Sequence, residues 1–232
     1  MPVILGQLLL IALIGYLWGA IPFGHGVGIL LRGKDFDIRT YGSHKIGATN
    51  VQRTLGTGPA VLVLVLDLLK GAGPTLIATY VPFFHILGWG ATVAGLAAIL
   101  GHRFPVFIGF QGGRSVAVGS AALLVISPLV LLFAVIALLI TIGITRYVSL
   151  GSIVGCLTTM VCGLIFFFIE WVSLPGLVFM IVAPALIIIF HADNIGRLLA
   201  GKERKLGQKE EVARASPTGT SSDDRKGSPY HM

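Results

Sequence analysis

Residues 128–145 read PLVLLFAVIALLITIGIT, an apolar run without a single charged side chain. Proline opens the run directly after Ser127, and Arg146 closes it. A helix of about 20 apolar residues crosses the hydrocarbon core of a bilayer. The stretch therefore predicts a membrane-spanning helix between an uncharged turn and a basic one.

The composition of the whole chain agrees with this interpretation. Hydrophobic residues make up 55% of the 232 residues and charged residues 12%, whereas soluble domains carry about a quarter charged residues. So few charges cannot cover the surface of a soluble domain of this size. We therefore expect the apolar surface of this chain to face the bilayer. The length allows about six or seven spans within one domain.

Six further apolar stretches accompany residues 128–145. They are Pro2–Leu31, Pro59–Tyr80, Phe84–Leu100, Ser115–Ile126, Gly151–Ile169 and Leu174–Phe190. Joining the short fourth one to residues 128–145 would give a helix of about 46 Å, which is too long for one crossing. Proline also disfavours helix in the residue before it. We therefore predict seven crossings.

The distribution of basic residues supports an odd number of crossings. With seven, every loop that contains Lys or Arg falls on one side, while the connections near 81–85, 127 and 170–173 lack both and fall on the other. The positive-inside rule then puts the N-terminus outside and the C-terminus in the cytoplasm. The expected fold is an all-α polytopic membrane protein.

The chain divides into two parts by composition. Residues 1–203 are expected to form the transmembrane domain, and residues 204–232 a polar, disordered cytoplasmic tail, because Lys, Glu, Ser, Thr, Gly and Asp cannot build a core. The net charge of +7 lies in loops and tail, so no nucleic-acid partner is expected. The two cysteines have no His or acidic residue at ligand spacing, so neither a metal site nor a disulfide is expected.

The first basic loop, residues 41–56, reads YGSHKIGATNVQRTLG. Glycines let main-chain N–H groups turn toward a ligand, and such groups suit phosphate oxygens when hydroxyls and cations lie nearby. The alternative is a flexible loop with ordinary positive-inside charges. The close spacing of Thr49, Asn50 and Arg53 favours binding of a phosphate or another polar substrate.

Lys70 lies well inside the second apolar stretch. A charge within the membrane is costly and marks a candidate functional site. Asp67 shares a helix face with it three residues earlier, so the two side chains could simply pair. An anionic substrate would use the same cation, and both interpretations stay open.

The second basic loop, residues 101–117, reads GHRFPVFIGFQGGRSVA. Its end feeds a helix, and a glycine loop at a helix N-terminus offers free N–H groups to an anion. Phe104, Phe107 and Phe110 recur every third residue. An interfacial aromatic belt explains them better than a ligand cage, and contact with an acyl chain is the further alternative.

The last span ends in residues 190–203, which read FHADNIGRLLAGKE. His191 and Asn194 are expected to share a helix face, with Arg197 at its edge. A single histidine at a membrane interface is more often a structural hydrogen-bonding group than a base. Because Asn194 and Arg197 lie beside His191, we weigh the structural role and the role of general base equally.

These motifs together resemble the bacterial membrane glycerol-3-phosphate acyltransferases that use acyl phosphate as donor. The matching residues are Gly42-Ser43, Ile46 to Asn50, Arg53, Lys70-Gly71, Gly101-His102, Phe104 to Phe107, Phe110, Gly112-Gly113, His191, Asn194-Ile195 and Arg197-Leu198. The resemblance runs from about Gly15 to Glu203. Four motifs in order, on one inferred face of a seven-span protein, are specific where any one would be weak.

The chain departs from the family pattern at a few positions. The family usually has Gly-Asn where this chain has His44-Lys45, and Lys where Arg114 stands. It usually has Gly and Thr in place of Ser115 and Val118. Arg114 keeps a cation but presents a planar fork of donors, so these departures bear on substrate affinity.

The resemblance implies a reaction and its surroundings. A fatty acyl group would pass from a long-chain acyl phosphate to the 1-hydroxyl of sn-glycerol 3-phosphate, giving lysophosphatidic acid and phosphate for phospholipid synthesis. It implies a protein of the bacterial inner membrane with its active site facing the cytoplasm, and a monomer is compatible with this. Neither acyl-CoA nor any cofactor or metal is implied, and the chain lacks an acidic cluster suited to Mg²⁺.

The resemblance also implies site residues. The expected catalytic residues are Ser43, Asn50, His191 and Asn194. The expected substrate- and phosphate-binding residues are Ser43, Thr49, Arg53, Lys70, Gly101, His102, Gly112, Gly113, Arg114 and Arg197. His191 is the best protein candidate for the general base, and the acceptor's own phosphate, whose second pKa is about 6, is an equal candidate.

Two rival functions remain at this point. A transporter of a phosphorylated metabolite would explain Lys70 and the broken helices, but alternating access needs polar residues that reach both faces. A structural scaffold would leave the glycine and cation loops unexplained.

Overall fold

The computed structural model describes residues 2–207, and these residues form helices and connections without a strand. Short 3-10 turns cover Ile38–Thr40, Ile86–Gly88 and Val106–Ile108. The α-helices, in chain order, are α1 (Pro2–Gly19), α2 (Phe23–Arg32), α3 (Ala48–Leu55), α4 (Thr57–Tyr80), α5 (Pro82–His85), α6 (Trp89–Arg103), α7 (Val116–Ile126), α8 (Pro128–Thr145), α9 (Val148–Phe168), α10 (Leu174–Ile189) and α11 (Ala192–Leu199).

Several of these helices are long and apolar enough to cross a membrane. Five segments qualify within the described residues: Pro2–Arg32, Thr57–Tyr80, Pro82–Ile108, Pro128–Thr145 and Val148–Phe168. The pair α10 and α11, bent by 59° at its junction, makes a sixth if it counts as one span. The prediction of an all-helical, multi-pass membrane protein is confirmed. Length alone does not give seven crossings, because α7 has only 11 residues.

Large apolar side chains cover the outside of the bundle. Leu139, Ile144 and Phe168 are 59%, 79% and 79% exposed. Water would make such a surface a strong site of association, whereas lipid tails accept it, and the helices satisfy their own backbone hydrogen bonds.

Proline explains the breaks between helices. The predicted break at Ser127-Pro128 is confirmed, because Ser127 is extended and Pro128 opens α8. The first apolar stretch is less continuous than predicted: it ends as α1 at Gly19 and restarts after Pro22 as α2. The third also begins differently, since Ile86 and Leu87 adopt positive φ values between α5 and α6.

Glycines bring the helix backbones into contact, as predicted. A Cβ at Gly19 would overlap the carbonyl oxygen of Ala98 on α6, and one at Gly71 would overlap that of Val118 on α7. Such close approach supplies van der Waals packing where lipid removes the hydrophobic drive for helix association.

Hydrogen bonds join the four basic segments at one end of the bundle, which we call the basic end. Arg39 Nη1 donates to Ile108 O over 2.7 Å and joins the first loop to the second. Arg114 reaches Asp193 at the start of α11. Arg146 Nη2 donates to Leu206 O over 3.0 Å. The loops that the sequence predicted to share a face therefore meet.

The connections without Lys or Arg meet at the opposite end. Thr79, His85, Gly88, Ile126 and Ser173 line a cavity of about 140 Å³ there. Thr92 Oγ1 also donates to Pro175 O over 2.7 Å. Short as it is, α7 therefore runs from the loop that carries Arg114 to this opposite end.

The C-terminal part of the described chain packs beyond the predicted boundary at residue 203. Leu206 N–H donates to Arg146 O over 2.7 Å, so residues 204–206 belong to the packed structure. Met1 and residues 208–232, which include most of the predicted tail, lie outside the described residues.

Candidate active site

The first basic loop folds around the side chain of Asn50, which is 1% exposed. Its Oδ1 accepts the Ser43 N–H over 2.8 Å, and its Nδ2 donates to Lys45 O over 2.8 Å and to Tyr41 O over 3.1 Å. Both ends of the amide are used within the loop. Asn50 therefore positions Ser43, and its predicted contact with substrate stays a prediction.

An ion pair in the segment just before this loop fastens it to the second basic loop. Arg39 binds the Asp37 carboxylate at 2.7 Å while its other nitrogen reaches Ile108 O. The hydrogen bond from the Arg39 side chain lowers the pKa of Asp37. The carboxylate thus stays ionised and keeps Arg39 pointed at the second loop.

A cleft of about 570 Å³ opens at the basic end. Its lining residues come from the first loop, the ends of α6 and α10, α11 and the residues after α11. They are Gly42, Ser43, His44, Lys45, Arg103, Ile189, Phe190, Ala192, Asp193, Arg197, Lys202 and Arg204. The structure thus brings the predicted site residues Ser43 and Arg197 to one cavity.

Thr49 and Arg53 are half-buried on α3, and neither lines the cleft. They lie in the helix that also carries Asn50, directly behind the loop. Their predicted contact with phosphate stays a prediction.

Lys70 is fully buried beside Asp67 and His102, and none of the three lines the cleft. Its Nζ lies 3.0 Å from Asp67 Oδ1 and forms an ion pair with it. It lies 3.3 Å from His102 Nδ1 and 4.9 Å from the centroid of the Phe23 ring. Because an ammonium has only donors, His102 Nδ1 accepts here.

The contacts of this buried cluster bear on Lys70 and His102, whose predicted binding of phosphate stays a prediction. Lys70 has its counter-ion within the bundle, which is the pairing that the sequence left open. His102 contacts Lys70 on one side and packs beneath Gly113 on the other. The cluster therefore supports the second basic loop from below and does not face the cleft.

Gly112 and Gly113 serve the fold of that loop. Their N–H groups donate to Arg103 O over 3.1 Å and to His102 O over 3.0 Å. Gly101 meets the backbone of Tyr16 on α1. The turn uses both N–H groups to fold back on α6, and the predicted contact of Gly112 and Gly113 with an anion stays a prediction. Gly101 is likewise a packing residue.

The turn delivers Arg114 to the start of α11. Arg114 Nη2 donates to Asp193 Oδ2 over 2.8 Å, and its side chain is 15% exposed. Both terminal nitrogens of Arg197 approach the same oxygen at 3.3 Å. Burial lowers the pKa of Arg114, and the charge of Asp193 partly offsets this. Two guanidinium groups thus converge on one oxygen at the cleft.

His191 lies at the bend between α10 and α11 and is 2% exposed. Its Nδ1 lies 2.8 Å from Ile187 O. A carbonyl only accepts, so Nδ1 carries the proton in the neutral ring and Nε2 keeps its lone pair. That is the tautomer a general base needs.

Asn194, one turn further on, is held by Glu203. Its Nδ2 donates to Glu203 Oε1 over 2.7 Å, while its Oδ1 is buried and has no hydrogen-bond donor within the described residues. Arg197 Nε and the Ser149 hydroxyl also donate to Glu203. Asn194 therefore keeps an open acceptor. Neither Asn194 nor His191 lines the cleft, and their predicted catalytic roles stay predictions.

Sequence reasoning missed several lining residues. Lys45 was noticed only as a departure, and Arg103, Asp193, Lys202 and Arg204 were not singled out. Each adjoins a recognised motif, but a charged loop residue has no pattern that says whether it faces a cleft. Within residues 2–207 no group of three His, Cys, Asp or Glu side chains is placed to hold a metal ion.

The similarity to known proteins covers nearly all of the described chain. A family model described as glycerol-3-phosphate acyltransferase matches residues 9–201. The chain belongs to the glycerol-3-phosphate acyltransferase family. Glycerol-3-phosphate acyltransferase 3 of Dehalococcoides mccartyi is 40% identical over 215 residues, which cover 89% of this chain and 99% of that protein. The Aquifex aeolicus glycerol-3-phosphate acyltransferase is 43% identical over 200 residues, covering 85% and 98%.

Solved structures of this acyltransferase family share the fold. The crystal structure of PlsY (YgiH), an integral membrane glycerol 3-phosphate acyltransferase, in its glycerol 3-phosphate form matches with a TM-score of 0.76 at 40% identity, covering 86% of this chain and 96% of that one. Its lysophosphatidic acid form matches with a TM-score of 0.73 at 40% identity, covering 87% and 96%.

Proposed function

We propose that this chain transfers a fatty acyl group from acyl phosphate to the 1-hydroxyl of sn-glycerol 3-phosphate, releasing lysophosphatidic acid and phosphate. The observation that carries the proposal is the cationic cleft, where Ser43, Arg197 and the Arg114–Asp193 pair meet at one end of an apolar bundle. The family relatives bear the acyltransferase name, and the PlsY crystal forms are described with glycerol 3-phosphate and lysophosphatidic acid.

The chemistry needs positioning more than activation. The 1-hydroxyl oxygen attacks the acyl carbonyl, the bond from carbon to phosphate oxygen breaks, and phosphate leaves with the bonding electrons. Two anionic partners must approach each other, and more negative charge gathers on the carbonyl oxygen in the transition state. Cations of the cleft lower both barriers, because fixed charges act strongly where water is excluded.

The proton of the attacking hydroxyl has two candidate acceptors. His191 Nε2 has its lone pair free because Nδ1 is committed to Ile187. The acceptor's own phosphate titrates near neutrality, with a second pKa of about 6. Asn194 Oδ1 supports either route, since an open acceptor orients the hydroxyl before the proton leaves.

The topology belongs to the same proposal. Seven crossings, an outside N-terminus and a cytoplasmic C-terminus in a bacterial inner membrane agree with basic loops at one end and uncharged connections at the other. The proposal includes a monomer. The active site then faces the cytoplasm, where a soluble phosphate ester is available, while the acyl chain stays in the membrane.

The deciding experiment is an acyl-transfer assay with the full-length protein in detergent or nanodiscs. We expect lysophosphatidic acid from palmitoyl phosphate and sn-glycerol 3-phosphate, and none from palmitoyl-CoA. Ser43→Ala should lower turnover strongly, while the matched Ser127→Ala at the opposite end should not. A protein that binds glycerol 3-phosphate but never forms product would instead favour the transporter.

A further inference from the structure

The cleft carries far more positive than negative charge. Among the described residues that line it, Lys45, Arg103, Arg197, Lys202 and Arg204 are cationic and only Asp193 is acidic. Like charges repel each other in a shared cavity. Although Arg197 also pairs with Glu203 at 2.8 Å, the net positive charge of the lining favours the entry of a further anion.

Asp193 already occupies the position that such an anion would prefer. Its Oδ2 lies 2.8 Å from Arg114 Nη2 and 3.3 Å from both terminal nitrogens of Arg197. One carboxylate oxygen between two guanidinium groups is the arrangement that a phosphate oxygen also adopts. The Asp193 side chain is 41% exposed, so it has room to turn away.

Lys45 faces the same space without a carboxylate of its own. Within the described residues it forms no ion pair at 4.0 Å or less, although it lines the cleft. Burial lowers its pKa, and the nearby charge of Arg103 lowers it further, while Asp193 opposes both. An anion in the cleft would relieve this repulsion.

These residues differ in how they are anchored. The backbone carbonyl of Lys45 accepts from Asn50 over 2.8 Å, which fixes the start of the side chain at the cleft. Asp193 lies in the first turn of α11, next to Asn194, whose amide is held by Glu203. Neither charged group has to move its backbone to exchange partners.

We propose that Asp193 is a resident counter-anion which the phosphate of the substrate displaces from Arg114 and Arg197, and that Lys45 is an added phosphate-binding cation of this chain. The inference rests on the proposed function and assigns the charges that set its affinity for glycerol 3-phosphate. A phosphate dianion is attracted to Arg114 and Arg197 more strongly than a carboxylate monoanion is. It therefore takes over the contacts of Asp193, whose side chain turns away. Asp193 thus weakens binding and Lys45 strengthens it.

Substitutions of Asp193 and Lys45 should shift the Kd for sn-glycerol 3-phosphate in opposite directions. Asp193→Asn should lower the Kd for sn-glycerol 3-phosphate about threefold or more, and Lys45→Asn should raise it by a similar factor. The double variant restores the charge of the cleft and should bind like the parent. Inorganic phosphate should follow the same order, and uncharged glycerol should show no such order.

Isothermal titration of the full-length protein in detergent, without acyl donor, measures these constants. Asp35→Asn and Lys34→Asn are matched controls, because they make the same charge changes at exposed loop positions outside the cleft. Asp193→Ser is a second test of the carboxylate should Asp193→Asn fold poorly. Unchanged or weaker binding by the Asp193 variants would overturn the counter-anion, and unchanged binding by Lys45→Asn would overturn the added cation.

Turnover separates this inference from the proposed reaction. With palmitoyl phosphate as donor, the KM for glycerol 3-phosphate should move in the same directions as Kd, while kcat changes little. A parent protein that binds glycerol 3-phosphate with the expected order of variants but makes no lysophosphatidic acid would overturn the reaction and leave the charge assignment standing.

Discussion

Asn194 donates a hydrogen bond to Glu203 over 2.7 Å, which ties the candidate active site to the residues that follow α11. Glu203 also accepts from Ser149 on α9 at 2.8 Å and from Arg197 Nε at 2.8 Å. One carboxylate therefore joins three parts of the basic end, and it is 9% exposed. The position of Asn194 depends on it.

Glu203→Gln should destabilise the protein by about 2 kcal/mol, because an amide cannot replace a buried carboxylate that accepts three hydrogen bonds. Thermal unfolding in detergent would show a lower Tm, and kcat should fall as Asn194 loses its anchor. Glu170→Gln, an exposed glutamate of the opposite end, is the matched control. Equal Tm values for the two variants would contradict this role.

Stability should also fall with acidification. Burial raises the pKa of Glu203, but the hydrogen bonds from Ser149, Asn194 and Arg197 outweigh it, so the pKa lies below its ordinary 4.5. A depressed pKa stabilises the folded state above the ordinary value, and this contribution is lost as pH falls through the folded pKa. We expect Tm to drop below pH 4.5, and to drop less in Glu203→Gln. Parallel curves for the two proteins would contradict the linkage.

The ion pair of Asp67 and Lys70 should behave as a structural unit. Lys70→Met leaves the Asp67 carboxylate buried without a counter-ion, which costs about 3 kcal/mol or more. Asp67→Leu combined with Lys70→Met removes both charges and should recover most of the Tm. Turnover decides between the two interpretations of Lys70: recovery with the double variant supports the structural pair, whereas a stable but inactive double variant would support a phosphate ligand.

The turn beneath Arg114 should tolerate no side chain at Gly112. A Cβ there would overlap the carbonyl oxygen of His102 and approach Arg103 O within 2.8 Å. Backbone atoms cannot rotate away, so Gly112→Ala should cost about 1–3 kcal/mol and displace Arg114, which raises KM for glycerol 3-phosphate. Gly58→Ala, where nothing lies within 4 Å, is the control. Normal kinetics in Gly112→Ala would refute the account of this loop.

His191→Ala tests the general base. If Nε2 accepts the hydroxyl proton, kcat should fall about 100-fold, with KM less affected. His85→Ala is a fitting control, since His85 Nδ1 also faces a backbone carbonyl, that of Thr79 at 3.1 Å, but at the opposite end. Near-parental turnover by His191→Ala would transfer the role to the phosphate of the acceptor.

Much of the fold could be predicted from local sequence. Apolar length gave the helices α4, α8, α9 and α10 to within a few residues, because a bilayer demands a minimum run. Ser127-Pro128 gave the break before α8. The interruptions at Pro22 and at Ile86-Leu87 were missed, because both lie within continuous apolar runs.

The sequence predicted which residues belong to the candidate site better than it predicted their contacts. Ser43, His191, Asn194 and Arg197 could be named because their motifs are recognisable. The sequence could not tell that Asn50, His102 and Gly113 act beneath the surface, since a polar residue in a loop has the same pattern whether it faces a ligand or a backbone. Nor could it show that Asp193 bridges Arg114 and Arg197.

The sequence by itself determined a helical membrane protein of the acyltransferase family with its cations gathered in a few loops. Hydrophobic length and charge placement act locally, so they are readable along the chain. Only the tertiary structure decided which cations contact a carboxylate or a histidine of the chain and which line the cleft. Burial and pairing depend on residues far apart in sequence, as Lys70 with His102 and Arg114 with Asp193 show.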